Sequence, residues 1–130
     1  MKYYIKTVLS EDFESVVSKT KEALKEEGFG VLSEIDINEK LKEKLDVDFR
    51  KYKILGACNP PLAHEALLKE DKIGTMLPCN LIIQQLGEKQ TEVAAIDPVI
   101  SMQAVENANL NEIAEKVKEK LVKVISLLSS

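Results

Sequence analysis

The sequence predicts an α+β fold, one sheet packed against two long amphipathic helices, in the order β-α-β-(α)-β-(α)-β-β-α. Two apolar stripes at helical spacing carry this reading. The first is Phe13, Val16, Val17, Thr20 and Leu24; the second is Leu110, Ile113, Ala114, Val117, Leu121, Val124, Ile125 and Leu128. Five short runs rich in β-branched and aromatic residues supply the strands. No repeat, low-complexity tract or linker interrupts the chain, so residues 1–130 are expected to form a single domain.

Tyr3 to Leu9 reads as the first strand. Ser10 follows as its helix's N-cap, with Glu11 and Asp12 in the first turn, where acids complement the helix dipole. Gly28 ends that helix as a C′ residue. Val31, Ser33, Ile35 and Ile37 alternate with Leu32, Glu34 and Asp36, the period of a half-buried strand. Asn38 to Leu45 is a short surface helix with only Leu41 and Leu45 to bury. Tyr52 to Ala57 forms the third strand, and Pro60-Pro61 opens a helix reaching about Leu68. Asp71 to Leu77 is a loop. Cys79 to Leu86 and Thr91 to Ile96 are strands joined by a turn at Gly87-Glu88-Lys89-Gln90. Asp97-Pro98 repeats the cap-then-proline pattern ahead of a short helical turn. Asn109 caps the last helix, with Glu112 three residues on in capping-box fashion.

Composition narrows the function classes. With 45% hydrophobic and 31% charged residues the chain has the make-up of a globular protein. Its net charge of −4, from 18 basic and 22 acidic residues interleaved along the chain, leaves no footprint for nucleic acid. Three Phe, three Tyr and no Trp offer few stacking platforms for single strands. Met1 to Lys6 lacks the apolar region of a signal peptide, and no run is long enough to span a bilayer. A cytoplasmic location without membrane contact is the expectation, in which Cys58 and Cys79 are free thiols.

The central strands are apolar on both faces: Leu81 and Ile83 oppose Ile82, and Val93 and Ala95 oppose Ala94 and Ile96. Two long helices cover one face of such a sheet. The second face is expected to be partly covered by another subunit, making a homodimer; small insertion helices and loops are the alternative cover.

One cluster carries chemical interest. If residues 87–90 form the hairpin turn, facing residues sum to 177 and Asn80 lies opposite Asp97. An antiparallel third strand then brings three segments to one end of the sheet: Ala57-Cys58-Asn59-Pro60, Leu77-Pro78-Cys79-Asn80 and Ile96-Asp97-Pro98. Pro60 and Pro98 suit first helical positions, with Asn59 and Asp97 as their N-caps. A thiol just before a helix N-terminus, as at Cys58, is favoured as thiolate. Cys58, Cys79, Asp97 and His64, the only histidine, would be a chemically acceptable zinc set. Against this stand the commoner roles of these residues. Free cysteines are usually small buried hydrophobes, a lone helical histidine usually faces solvent, and Asp97 is a cap first. No C-x-x-C or H-x-x-x-H spacing supports a metal, and neither a phosphate-binding glycine loop nor a G-x-S-x-G elbow occurs. The charges from Lys116 to Lys123 read as a solvated face with intrahelical pairing.

At these segments the chain resembles a prokaryotic family known as domain of unknown function 302. The resemblance rests on Tyr52-Lys53-Ile54-Leu55-Gly56-Ala57-Cys58-Asn59-Pro60, Leu77-Pro78-Cys79-Asn80-Leu81 and Asp97-Pro98, in that order. It implies a curved antiparallel sheet gripped by helices, similar to the TATA-binding-protein arrangement, and a dimer. It also marks Cys58, Asn59, Pro60, Pro78, Cys79, Asn80, Asp97 and Pro98 as signature positions; His64 is outside the signature. Fold does not transfer function. Three readings follow, in this order: a homodimeric module binding a small ligand or partner in a concavity bordered by Asn80 and Asp97; motifs that are purely structural caps and turns; thiol or metal chemistry at Cys58 and Cys79.

Overall fold

The structure, a computed structural model, describes residues 2–129; Met1 and Ser130 lie outside the described residues. Five strands form one open antiparallel sheet in the order β1-β5-β4-β3-β2. They are β1 (Tyr4–Leu9), β2 (Gly30–Asp36), β3 (Tyr52–Cys58), β4 (Cys79–Gly87) and β5 (Gln90–Ile96). The helices are α1 (Phe13–Glu26), α2 (Ile37–Leu45), α3 (Pro60–Lys69), α4 (Pro98–Ser101) and α5 (Asn111–Ser129). The expected α+β order is therefore the observed one.

Both long helices bury the stripes that define them. Phe13, Val16, Val17, Thr20 and Leu24 of α1 are buried, as are Leu110 and the seven α5 positions expected from Ile113 to Leu128. They pack on the sheet face that carries Leu55, Ala57, Leu81, Ile83, Val93 and Ala95, and this layer is the core. The Thr20 hydroxyl, buried in that layer, donates to the Val16 carbonyl at 2.7 Å, which removes the penalty of an unpaired polar group.

Helix α1 is capped by Asp12, not by Ser10: the Asp12 carboxylate accepts from Ser15 N–H at 2.8 Å. The cap position is the one immediately before the first apolar residue, Phe13. At the other end Gly28 takes φ +81°, Gly28 N–H donates to Lys25 O, and Phe29 N–H donates to Leu24 O. This closing turn needs a left-handed residue and drives Phe29 back into the core. The last helix also starts differently from expectation. Asn107, not Asn109, accepts from the chain, and a 3₁₀ turn at Ala108–Leu110 precedes α5. A 3₁₀ turn, Asp71–Met76, likewise replaces the expected loop. Helix α2 buries no residue, as a surface piece should.

The hairpin register departs from expectation by one. Gly87 faces Gln90, but an irregularity between Gln85 and Gly87 shifts the rest of the ladder, so that Leu81 faces Ala95 and Ile82 faces Ala94. The bulge turns one residue out of the pairing. Asn80 therefore falls level with Ile96, not with Asp97.

The second face of the sheet carries Tyr4, Tyr52, Ile54, Ile82, Ala94 and Ile96, opposite the face on which both long helices pack. Ile35, at the β2 edge, is 41% exposed and Tyr3 is 64% exposed. A polar stripe crosses this face: Arg50 Nε donates to Gln84 Oε1 at 2.8 Å, Gln84 Nε2 donates to Glu92 Oε1 at 2.7 Å, and Lys6 pairs with Glu92 at 3.4 Å.

Candidate functional site

The three signature segments meet because β3 runs antiparallel to β4, with Ala57 paired to Cys79, and β4 to β5. The end of β3, the start of β4 and the end of β5 thus share one edge of the sheet. Each segment then turns into a cap. Asn59 Oδ1 accepts from Leu62 N–H at 3.3 Å, and Pro60 is the first residue of α3. Asp97 Oδ1 accepts from Val99 N–H at 3.0 Å and Ile100 N–H at 3.4 Å, and Pro98 opens α4. The Leu77–Pro78 peptide is cis. Proline at the first helical position loses no hydrogen bond, because that N–H has no partner within the helix.

Beneath these caps lies a cavity of about 50 Å³. Cys58, Asn59, Pro78, Cys79 and Pro98 line it, together with Phe29, Leu62, Ala63, Ile73, Met102, Ile113 and Val117. Among the described residues that line it, Asn59 alone has an amide, hydroxyl or charged side chain; the remainder are hydrocarbon, thiol or thioether. Three signature residues are not on its wall. Pro60 is exposed at the start of α3. Asn80 is exposed on the opposite sheet face, where it borders a separate concavity of about 360 Å³ with Tyr3, Tyr4 and Tyr52. Asp97 is 6% exposed and points toward α5, where Lys118 Nζ stands 2.9 Å from its Oδ2. Among the described residues Asn80 and Asp97 do not border one concavity: Asn80 lines the concavity of the opposite sheet face and Asp97 is buried against Lys118. The one-residue register shift puts their side chains on opposite faces.

The zinc set does not assemble. Among the described residues no three His, Cys, Asp or Glu side chains gather as metal ligands. His64 is exposed on α3, and Asp97 is held by its two backbone donors and Lys118. Both cysteines are free and partly buried. Burial pushes the Cys79 thiol up to about 11, and the nearby Cys58 adds to the rise. An apolar wall disfavours the thiolate, so Cys79 presents a neutral S–H at physiological pH.

Phe29, Leu62, Met102 and Lys118 complete the site and were not singled out from sequence; Ile113 was read only as a stripe position of the last helix. The closing turn at Gly28 is the signal that could have found Phe29. The others are ordinary stripe or surface positions whose role depends on the tertiary packing.

Fold and site together define the class: an α+β protein with an open antiparallel sheet, two long helices on one face and an apolar cavity under the caps at one strand end. The chain belongs to the family described as Domain of unknown function DUF302, which matches residues 5–128. It is similar to the uncharacterized conserved protein DUF302 from Bacillus stearothermophilus, known from a crystal structure, with 29% identity and a TM-score of 0.90 over 98% of this chain and 99% of that one. No curated protein matches it. Among the described residues no helix is long and apolar enough to cross a membrane.

Proposed function

We propose that this protein is a homodimeric binding module whose strand-end cavity takes a small ligand. The observation that carries the reading is convergence: Cys58, Asn59, Pro78, Cys79 and Pro98, from three separate segments, line one apolar cavity. Small-molecule sites combine an apolar wall with a few placed polar groups, and Asn59 and the two thiols are the polar groups here. Its volume of about 50 Å³ is several times the roughly 10–15 Å³ that one water needs, so a few carbon atoms fit.

Thiol chemistry is the weaker reading, since the burial that raises Cys79 works against a reactive thiolate. The purely structural reading accounts for Asn59, Pro60, Asp97 and Pro98 as caps, but gives no reason for a cavity under them. A second copy of the chain is proposed to cover the second sheet face, where Ile54, Ile82, Ala94 and Ile96 form an apolar centre. Ile82→Asp should then halve the mass seen by sedimentation equilibrium.

The test of the cavity is binding of xenon, a neutral apolar probe, followed by amide and methyl NMR shifts. Shifts clustered on Phe29, Ala63 and Val117, and lost in Ala63→Leu, are expected. Absence of any such shift in a folded protein overturns the reading.

A further inference from the structure

We infer that the ligand of this cavity is an amphiphile with a short apolar chain and an anionic head, of the fatty-carboxylate class. The inference rests on the cavity being a ligand site and adds what lies beside it. A groove of about 370 Å³ adjoins the cavity, and Asn59 and Leu62 line both. The far wall of the groove is α5, which contributes Lys116, Lys120 and Lys123 against a single acid, Glu119.

Three lysines against one glutamate give the groove a local charge opposite in sign to the chain's net −4. Lys116 is held by Glu112 at 3.8 Å, whereas no ion pair among the described residues involves Lys120 or Lys123. A solvated helix face with interleaved charges would pair them along the helix; here two cations are left facing a groove. The N-terminal end of α3, at Pro61 and Leu62, also borders it and adds the positive end of a helix dipole. None of the described residues lining the cavity is charged, and its one amide side chain, Asn59, lies on the wall shared with the groove. The oxygen of Asn59 is engaged by Leu62 N–H, and Cys79 is a neutral thiol. The two compartments therefore select opposite ends of one molecule: hydrocarbon inside and an anion outside, with the Asn59–Leu62 wall between them.

Three probes separate the contributions by calorimetry and NMR titration of the full chain at low ionic strength. Hexanoate carries both ends, hexan-1-ol only the chain, and acetate only the charge. Hexanoate is expected to bind about tenfold more tightly than hexan-1-ol, a ratio within reach of two exposed ion pairs. Acetate is expected to give no saturable shift. Raising the salt should shrink the advantage of hexanoate and leave hexan-1-ol unchanged. The double variant Lys120→Gln/Lys123→Gln, which alters only surface side chains, should bring hexanoate down to the level of hexan-1-ol. Equal binding of hexanoate and hexan-1-ol by the unaltered protein would overturn the anionic head while leaving the apolar cavity standing. Failure of both, with xenon also excluded, would remove the cavity reading itself.

Discussion

Lys118 Nζ lies 2.9 Å from Asp97 Oδ2, so the helix that ends the chain is tied to the cap that follows the last strand. The other oxygen of the same carboxylate accepts from Val99 and Ile100 N–H. One buried side chain thus fixes the start of α4 and anchors α5 over the strand end. Pro98, next in sequence, is part of the cavity wall, so this anchoring sets one side of the candidate site.

Replacing Asp97 should therefore hurt twice. Asp97→Ala removes the cap and leaves Lys118 without its partner; a loss of about 1–2 kcal/mol in urea unfolding is expected, from a cap worth ~1 and a screened ion pair worth at most ~1. Lys118→Met leaves the cap intact and should lose less than about 1 kcal/mol, because that lysine is partly exposed and screened. A double-mutant cycle measures the coupling. Equal losses for the two single variants would show that the cap has no role of its own.

Gly56 is required by close approach. A Cβ there would run into Ser33 Oγ and stand 2.8 Å from Pro78 Cγ. The hydroxyl can rotate, but the proline ring cannot retreat without moving the Leu77–Cys79 segment that lines the cavity. Gly56→Ala should cost about 1–3 kcal/mol as an overpacked contact. Ser33→Ala in the same chain should recover only part of it. Full recovery by Ser33→Ala would place the whole clash on the serine and exonerate Pro78.

Much of this architecture was legible in the sequence, and the residues that were not share a cause. Helices α1 and α5 were readable because burial imposes a period that survives in the residues, and every expected position of their stripes is buried. The meeting of Cys58 with the start of β4 was readable because strand polarity alone decides which ends share an edge. The Asn80–Asp97 pairing was not, because a single bulge near Leu86 leaves no compositional trace yet turns every following side chain by one place. Lys118 was hidden for another reason. It sits in a run of lysines and glutamates, and only the packing of α5 over α4 distinguishes it from its neighbours.

The thiols provide a direct check on site chemistry. Burial and the neighbouring Cys58 push Cys79 up to about 11, so at pH 8 roughly one molecule in a thousand carries the thiolate there. In Cys58→Ser, alkylation by iodoacetamide should be slow in the native protein and become fast on unfolding in urea. Rapid, stoichiometric labelling of native Cys58→Ser at pH 7 would revive thiol chemistry as the function of the cluster.

The β2–β3 edge should show its own acid sensitivity. Glu34 sits between Lys21, at 2.9 Å, and Lys53, at 3.2 Å. Its carboxyl is held below the usual carboxylate range, chiefly by the Lys21 hydrogen bond, with Lys53 adding to it against the opposing effect of partial burial. A carboxylate whose folded-state value is lowered binds protons less readily in the native than in the unfolded chain. Its stabilisation is then fully present above the unfolded carboxylate value and is lost as pH falls through the folded one. Lys53 titrates in the other direction. Burial alone would lower it, but Glu34 and Asp36 together raise it, so its share is present at neutral pH and fades only as pH rises through that raised value. Glu34→Gln should accordingly flatten the decline in urea midpoint below about pH 5, where carboxylates protonate, and cause its largest loss at pH 7, where the carboxylate's contribution is fully present. Because the carboxylate is substantially exposed, that loss should stay under about 1 kcal/mol and shrink in high salt. An acid limb unchanged by Glu34→Gln would mean that the β2–β3 edge is held by its backbone ladder and the flanking apolar contacts alone.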